Sequence, residues 1–222
     1  MKIIAVIPAW NEAKTIGNVV TAVLGYGAIP IVVDDGSTDD TSTVARAAGA
    51  PVIRHVMNRG LGAALGTGIA AALHSDADIL FTFDGDGQHA AEDIPAVLAP
   101  LLRGEADVVI GSRFSGKGHM PFTRRMANRV GNLVTAILFG ISVTDSQSGF
   151  RGFTRAAAER LRIRADGMEV SSEIIAEIHE HRLRVQEVPV TAVYTAYSLS
   201  KGQGFFMGLK TLAKLFLHWM TG

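Results

Sequence analysis

The chain has 222 residues, of which 48% are hydrophobic, 19% are charged and 24 are glycine; a chain of that size buries roughly 70% of its unfolded surface, which excludes a disordered polypeptide and any need for a covalent staple. Lys plus Arg and Asp plus Glu both total 21, so no net charge draws the protein toward nucleic acid. The absence of Cys excludes disulfides and thiolate metal sites.

Short β-branched runs alternate with helical patterns from the first residues onward. The N-terminal MKIIAVIPAW leads straight into a patterned strand and is not expected to be a signal peptide. Strands are predicted at Ile3–Ile7, Ile29–Val33, Val52–Val56, Ile79–Phe83 and Val108–Ile110, with helices at about Glu12–Leu24, Asp39–Ala48, Leu61–Leu73 and Ala91–Leu102. Such alternation implies an α/β domain with a mainly parallel sheet and helices on both faces. Further on, a helix is predicted near Arg124–Phe139, a strand near Phe150–Phe153, a helix near Glu169–His181 and a strand near Gln186–Val193. With no linker and no repeat, 1–222 reads as a single domain.

Charge is unevenly placed along this pattern. Asp34, Asp35, Asp39, Asp40, Asp84 and Asp86 gather in the first half, whereas Arg113, Arg124, Arg125, Arg129, Arg151 and Arg155 crowd the middle. An acidic site facing a basic one suggests a metal on one side and an anion on the other. The distinctive motifs also fall at predicted strand ends, where open parallel sheets bind their ligands.

Asn11, after the first strand, is a candidate helix cap beside exposed helix N–H groups that favour anions. Asp34-Asp35 ends the second strand, where carboxylates can accept from a base or a ribose, or else cap the next helix. Asn58 to Gly62 opens a Gly/Ala-rich helix; the loop suits either a phosphate or tight helix–sheet packing. In Asp84-Gly85-Asp86-Gly87-Gln88-His89, residues two apart on extended backbone point the same way, so Asp84 and Asp86 can grip one cation. Hard oxygen donors suit Mg²⁺ or Mn²⁺ bridging a diphosphate. Arg113 and Arg124 fit a phosphate clamp, because Arg keeps its charge and binds phosphate with two prongs; Arg125 and Arg129 read as a solvated helix face.

In chain order, the segments IPAWNEAKTI, VVDDGSTDDT, NRGLGAALGTG, FDGDGQH, GSRF, DSQSGFRGF and SLSKG resemble the glycosyltransferase family 2 enzymes, most nearly the polyprenyl- or dolichyl-phosphate sugar synthases. The resemblance implies a GT-A (Rossmann-like) fold, an inverting mechanism and a divalent metal, Mg²⁺ or Mn²⁺. It implies a nucleotide-sugar half over about 1–112 and an acceptor half over about 113–204. Carried over by position, Pro8, Ala9, Asn11 and Glu12 line the base and ribose pocket and Asp35 contacts the nucleotide. Asn58, Gly60, Gly62, Asp84 and Gly85 complete the donor site, and Asp84, Asp86 and Gln88 hold the metal. Arg113, Arg124, Asn128 and Lys201 face the acceptor phosphate; Asn128 stands where relatives commonly have Ser. Asp145, with Arg113 and Arg124, is assigned to catalysis. A phosphate acceptor is largely a dianion near neutral pH, so Asp145 is either a general base or an orienting group. Glu173, in a carboxylate-rich helix start, fits dipole compensation or a site role.

The segment from Phe205 to about Met220 reads as an apolar amphipathic helix with Lys210, Lys214 and His218 on one stripe. Such a helix is buried by core, by a second subunit or by a lipid surface, with Lys and Trp at the boundary. Its lysines argue against a span. The resulting expectation is a hexosyltransferase moving sugar from a GDP-mannose or UDP-glucose type donor to a polyprenyl phosphate, peripheral at the cytoplasmic face of a membrane. Two other readings fit the motifs: transfer to a saccharide or protein hydroxyl, and a nucleotide-sugar binding protein without turnover.

Overall fold

The computed structural model describes residues 1–114, 126, 132 and 143–193. Strands β1 (Ile3–Ala9), β2 (Ile29–Asp34), β3 (Val52–Arg54), β4 (Ile79–Thr82) and β5 (Val108–Ser112) alternate with helices α1 (Ile16–Gly25), α2 (Thr41–Ala47), α3 (Leu61–His74) and α4 (Ile94–Leu102). The chain returns as β6 (Arg151–Thr154), followed by a single helical turn, α5 (Arg155–Ala158), then α6 (Val170–Glu180) and β7 (Val185–Pro189). The sheet order is β3-β2-β1-β4-β6-β5-β7. Every strand is parallel to its neighbours except β6, which runs antiparallel between β4 and β5.

The strands are apolar on both faces because helices cover both. Along β1, Ala5, Ile7 and Ala9 pack with Phe81, Phe83, Val109 and the helices α1 and α4. The alternate residues Ile4 and Val6 pack with Leu80, Ile110, Phe153 and the helices α3 and α6. This is the period-two alternation of a strand with both faces buried. Helix α3 lies very near the sheet: a Cβ on Gly68 would stand 2.3 Å from a Val6 methyl.

Several predicted boundaries shift for identifiable reasons. Asn11 adopts a left-handed φ of 55°, so Glu12–Thr15 forms a turn and α1 starts only at Ile16. Its side chain does not cap that helix: Asn11 Oδ1 accepts from Thr38 N at 2.8 Å, tying the β1–α1 loop to the β2–α2 loop. The strand expected to reach Val56 stops at Arg54, and the last strand ends at Pro189 rather than Val193. Helix α4 begins with Pro95 in its first turn, where its missing N–H costs little, after a short 3-10 turn at Ala91–Asp93.

Candidate active site at the carboxyl edge of the sheet

The ends of β1, β2, β4 and β5 open at one edge of the sheet. Because β6 runs the other way, the turn that leads into it, Asp145–Phe150, lies at the same edge. Acidic groups from the first half of the chain therefore meet basic groups from the second.

At the β1 and β2 ends, short loops are stitched together. Ser37 Oγ accepts from Asn11 N at 2.9 Å and Thr41 Oγ1 from Glu12 N at 2.8 Å. Buried Asp34 accepts from Ser37 N at 2.8 Å and from the Ser42 hydroxyl. Asp35 accepts from the His55 ring at 2.7 Å, Arg59 N at 2.9 Å and Gly60 N at 2.7 Å. Its carboxylate thus shapes the loop that precedes α3. Gly85 lies flush on Pro8 and Ala9, where a Cβ would be 3.0 Å from the Pro8 carbonyl. Thr15 Oγ1 donates to Gly85 O at 2.8 Å, which joins the β1–α1 turn to the acidic loop.

Gly60 and Gly62 have another partner. A Cβ on Gly60 would fall 2.3 Å from Asp166 O, and one on Gly62 1.8 Å from Ala165 O. Gly62 N and Ala63 N donate to Asp166 O at 2.8 and 3.2 Å. The first amides of α3 are thereby satisfied within the chain. Glu173 holds that same segment, accepting from Arg164 N at 2.9 Å and Ala165 N at 3.0 Å.

After β4, Asp84 and Asp86 stand two residues apart. Asp84 Oδ2 accepts from His89 Nε2 at 2.9 Å, and its carboxylate rests against Gly149, where a Cβ would come within 2.3 Å of Oδ1. Asp86 accepts from Gln88 N at 2.9 Å and from the Gln88 amide. Burial raises the Asp86 carboxyl above its ordinary pKa, and repulsion from Asp84 adds to this. Burial acts the same way on Asp84 but is outweighed by its contact with His89 and by the charges of Arg113 and Arg151, so its carboxyl is held low. Among the described residues no three His, Cys, Asp or Glu side chains form a metal cage. Two carboxylates plus an amide oxygen instead fit a cation such as Mg²⁺ that completes its shell with substrate phosphate and water.

Opposite stand the cations. Arg113 meets Asp145 through Nε–Oδ2 at 2.7 Å and Nη2–Oδ1 at 2.8 Å, and its backbone N donates to Oδ2 at 3.0 Å. The Asp145 turn is held by Asn132 Oδ1, which accepts from Ser146 N at 2.9 Å, and by Glu187 on β7, which accepts from Thr144 N at 2.8 Å. Arg151 is 2% exposed, with Nη2 donating to Ser146 O at 2.6 Å and Ser171 O at 3.1 Å. Burial pushes its pKa down to about 10, against the pull of Asp145 and Asp84. A small, partly open pocket beside Asp84 is lined by Leu61, Leu65, Ser148, Arg151, Ser171 and Ile174.

Residues 4–162 match the model of glycosyl transferase family 2. The chain belongs to this family and is a glycosyltransferase. A UDP-N-acetylglucosamine–dolichyl-phosphate N-acetylglucosaminyltransferase from Methanococcus voltae is 34% identical, over 96% of this chain and 94% of the relative. An undecaprenyl-phosphate mannosyltransferase from Micrococcus luteus is 33% identical, over 94% of this chain and 90% of the relative. Among solved structures, glucosyl-3-phosphoglycerate synthase from Mycobacterium tuberculosis, in complex with Mn²⁺, UDP and glucosyl-3-phosphoglycerate, superposes with a TM-score of 0.76 at 23% identity. That match covers 97% of this chain and 77% of the other. The expected GT-A fold is thus the observed one.

Within this family 2 transferase the structure gathers Pro8, Ala9, Asn11, Glu12, Asp35, Asp84, Gly85, Asp86, Gln88, Arg113 and Asp145 at one edge. Asn58 lies exposed in the loop before α3. Arg124, Asn128 and Lys201 and the helix expected at 205–220 lie outside the described residues. Arg155 departs from the basic cluster: it follows β6 at the far edge and pairs with Glu159 at 2.8 Å and Asp76 at 3.4 Å. Gly149 supplies space for the Asp84 carboxylate without a left-handed φ. His89, the last residue of FDGDGQH and without an expected role, joins the site through its contact with Asp84.

Proposed function

We propose that the protein is an inverting, metal-dependent hexosyltransferase that moves sugar from a nucleotide diphosphate donor to a polyprenyl or dolichyl phosphate at a membrane surface. The observation that carries this reading is the facing of the Asp84–Asp86 pair and the Arg113–Asp145 pair across one sheet edge. The two relatives act on lipid phosphates, which supports the same acceptor class here.

Asp84, Asp86 and the Gln88 amide would hold Mg²⁺ or Mn²⁺, which when bound neutralises charge on the leaving diphosphate. The loops at Pro8–Glu12 and Asp35–Gly62 enclose the nucleotide and fix the donor. An acceptor phosphate oxygen attacks the anomeric carbon from the face opposite the diphosphate. The new C1–O bond forms as the old one breaks, and the nucleoside diphosphate departs with the bonding pair. A phosphate dianion needs no proton removed. Asp145, with both oxygens on Arg113, accordingly serves to aim that guanidinium at the acceptor; Arg124, Asn128 and Lys201 are assigned to the same phosphate. Positioning and charge stabilisation do most of the work.

The relatives differ in sugar, so the donor is best found with a panel. Purified protein with Mn²⁺ is incubated with UDP-glucose, UDP-N-acetylglucosamine and GDP-mannose, with and without a short polyprenyl phosphate. Glycosylated lipid from one donor supports the reading and names the sugar. Donor hydrolysis without lipid product overturns the lipid acceptor in favour of a hydroxyl one. No helix among the described residues is long and apolar enough to cross a membrane. Binding to lipid through residues 205–220 is tested by deleting them and measuring retention on anionic vesicles.

A further inference from the structure

We propose that His89 is the positioning residue of the cation site, fixing the Asp84 carboxylate through its Nε2–H. This builds on the assignment of Asp84 and Asp86 to the donor's cation.

The surroundings of His89 do not otherwise call for an imidazole. Its side chain is 2% exposed and its ring lies 5.6 Å from the Phe83 ring and 5.4 Å from the Phe150 ring, themselves 4.9 Å apart. Nδ1 is buried with no hydrogen-bond partner among the described residues. Burying a polar ring in an aromatic pocket costs free energy, more so with one nitrogen unsatisfied. A phenylalanine would fill the same space without that cost. The one interaction that an imidazole adds is the 2.9 Å bond from Nε2 to Asp84 Oδ2.

The ring is also held in place. His89 forms an antiparallel bridge with Ala192, and Val193 N donates to Gln88 O at 2.8 Å. With Oδ2 tied to this ring and Gly149 closing the space beside it, the carboxylate has little freedom to rotate. Ligands that are themselves hydrogen-bonded bind metal better, because the orientation is set before the ion arrives; losing such a partner typically costs about 10–100-fold in metal affinity.

The test is Mn²⁺ affinity, measured by the EPR signal of free Mn²⁺ in the presence of UDP and, separately, GDP. His89→Phe keeps the aromatic packing and removes the donor. His89→Gln places an amide Nε2 near the position of the imidazole Nε2. The expectation is that His89→Phe retains the wild-type melting temperature or exceeds it while Mn²⁺ affinity drops about 10–100-fold, and that His89→Gln recovers most of the loss. Wild-type affinity in His89→Phe would overturn the inference, as would equal impairment of both variants. Equal Mn²⁺ binding by wild type and Asp84→Asn, or none by either, would overturn the cation site itself. A long-range ¹H–¹⁵N spectrum of the wild-type protein gives a check that does not depend on a variant folding. It should show the His89 proton on Nε2, with that signal shifting on addition of Mg²⁺; a proton on Nδ1 alone overturns the inference.

Discussion

Arg113 and Asp145 stand 32 residues apart in sequence, yet they meet in a two-pronged ion pair with contacts of 2.7 and 2.8 Å. The pair joins the end of β5 to the turn before β6. Asp145 is fully buried and Arg113 19% exposed, so neither charge is well hydrated without the other. Removing one partner of a buried pair costs more than the pair is worth, because a buried charge is left behind. Asp145→Ala is expected to lower stability by up to about 3 kcal/mol, measured by urea denaturation. Arg113→Lys, which cannot make both contacts, should raise the acceptor KM well above any change in donor KM. Equal changes in both would place Arg113 elsewhere in the reaction.

The two acidic-loop carboxylates predict opposite responses in stability and binding. The Asp86 carboxyl has its pKa raised by burial and by Asp84. A folded-state pKa above the unfolded value means that ionisation favours the unfolded chain as pH rises through that range. At neutral pH the metal-free protein therefore carries a penalty that Asp86→Asn removes. The variant should melt above wild type without metal, lose its stabilisation by Mn²⁺ and nucleotide, and lose turnover. A lower melting temperature without metal would contradict the repulsion.

Gly149→Ala tests the space beside Asp84. A Cβ there would lie 2.3 Å from Asp84 Oδ1, so the carboxylate must swing aside. Calorimetric titration with Mn²⁺ and nucleotide should show affinity reduced about 10–100-fold in a protein whose circular dichroism is unchanged. Unaltered affinity would mean that the carboxylate tolerates the shift.

Far from the site, Asp107 accepts from Arg184 N at 2.9 Å, Nε at 3.1 Å and Nη2 at 2.8 Å, joining the starts of β5 and β7. The Arg184 hydrogen bond holds the Asp107 carboxyl below its ordinary 3.8, outweighing the opposing effect of burial. A depressed folded-state pKa contributes stability that is fully present above the ordinary value and is lost as pH falls through the folded one. Asp107→Asn should cost roughly 0.5–1 kcal/mol at pH 7, as for a partly exposed pair. The gap from wild type should hold down to about pH 4 and close below it.

The βα alternation and the acidic loop were legible in the sequence because each is a local pattern: apolar runs of one strand's length, then carboxylates at spacing two. The antiparallel course of β6 was not, since the pattern Phe-Arg-Gly-Phe at 150–153 suits a strand in either direction. Gly60 and Gly62 pointed to a close approach without saying of what. The backbone that they admit, at Ala165 and Asp166, lies a hundred residues on, and only tertiary packing identifies it. The partners of Asp84 divide in the same way. His89 stood in the motif but showed no direction, whereas nothing local tied Gly149 to Asp84, 65 residues earlier in the chain. Glu173 matched the carboxylate pattern of a helix start; its contacts with Arg164 N and Ala165 N come from a loop that no local rule places there.

The reversed strand has a consequence for how the sheet closes. The chain leaves the sheet after Ser112 on β5 and re-enters it at Arg151 on β6, at the same edge. The two strands that flank this stretch are neighbours, Val109 facing Gly152 and Ile110 facing Arg151. β6 separates β4 from β5, so the sheet is continuous only once β6 is seated between them. Chimeras cut at Ser112 and Arg151 would test whether the stretch between them carries acceptor preference.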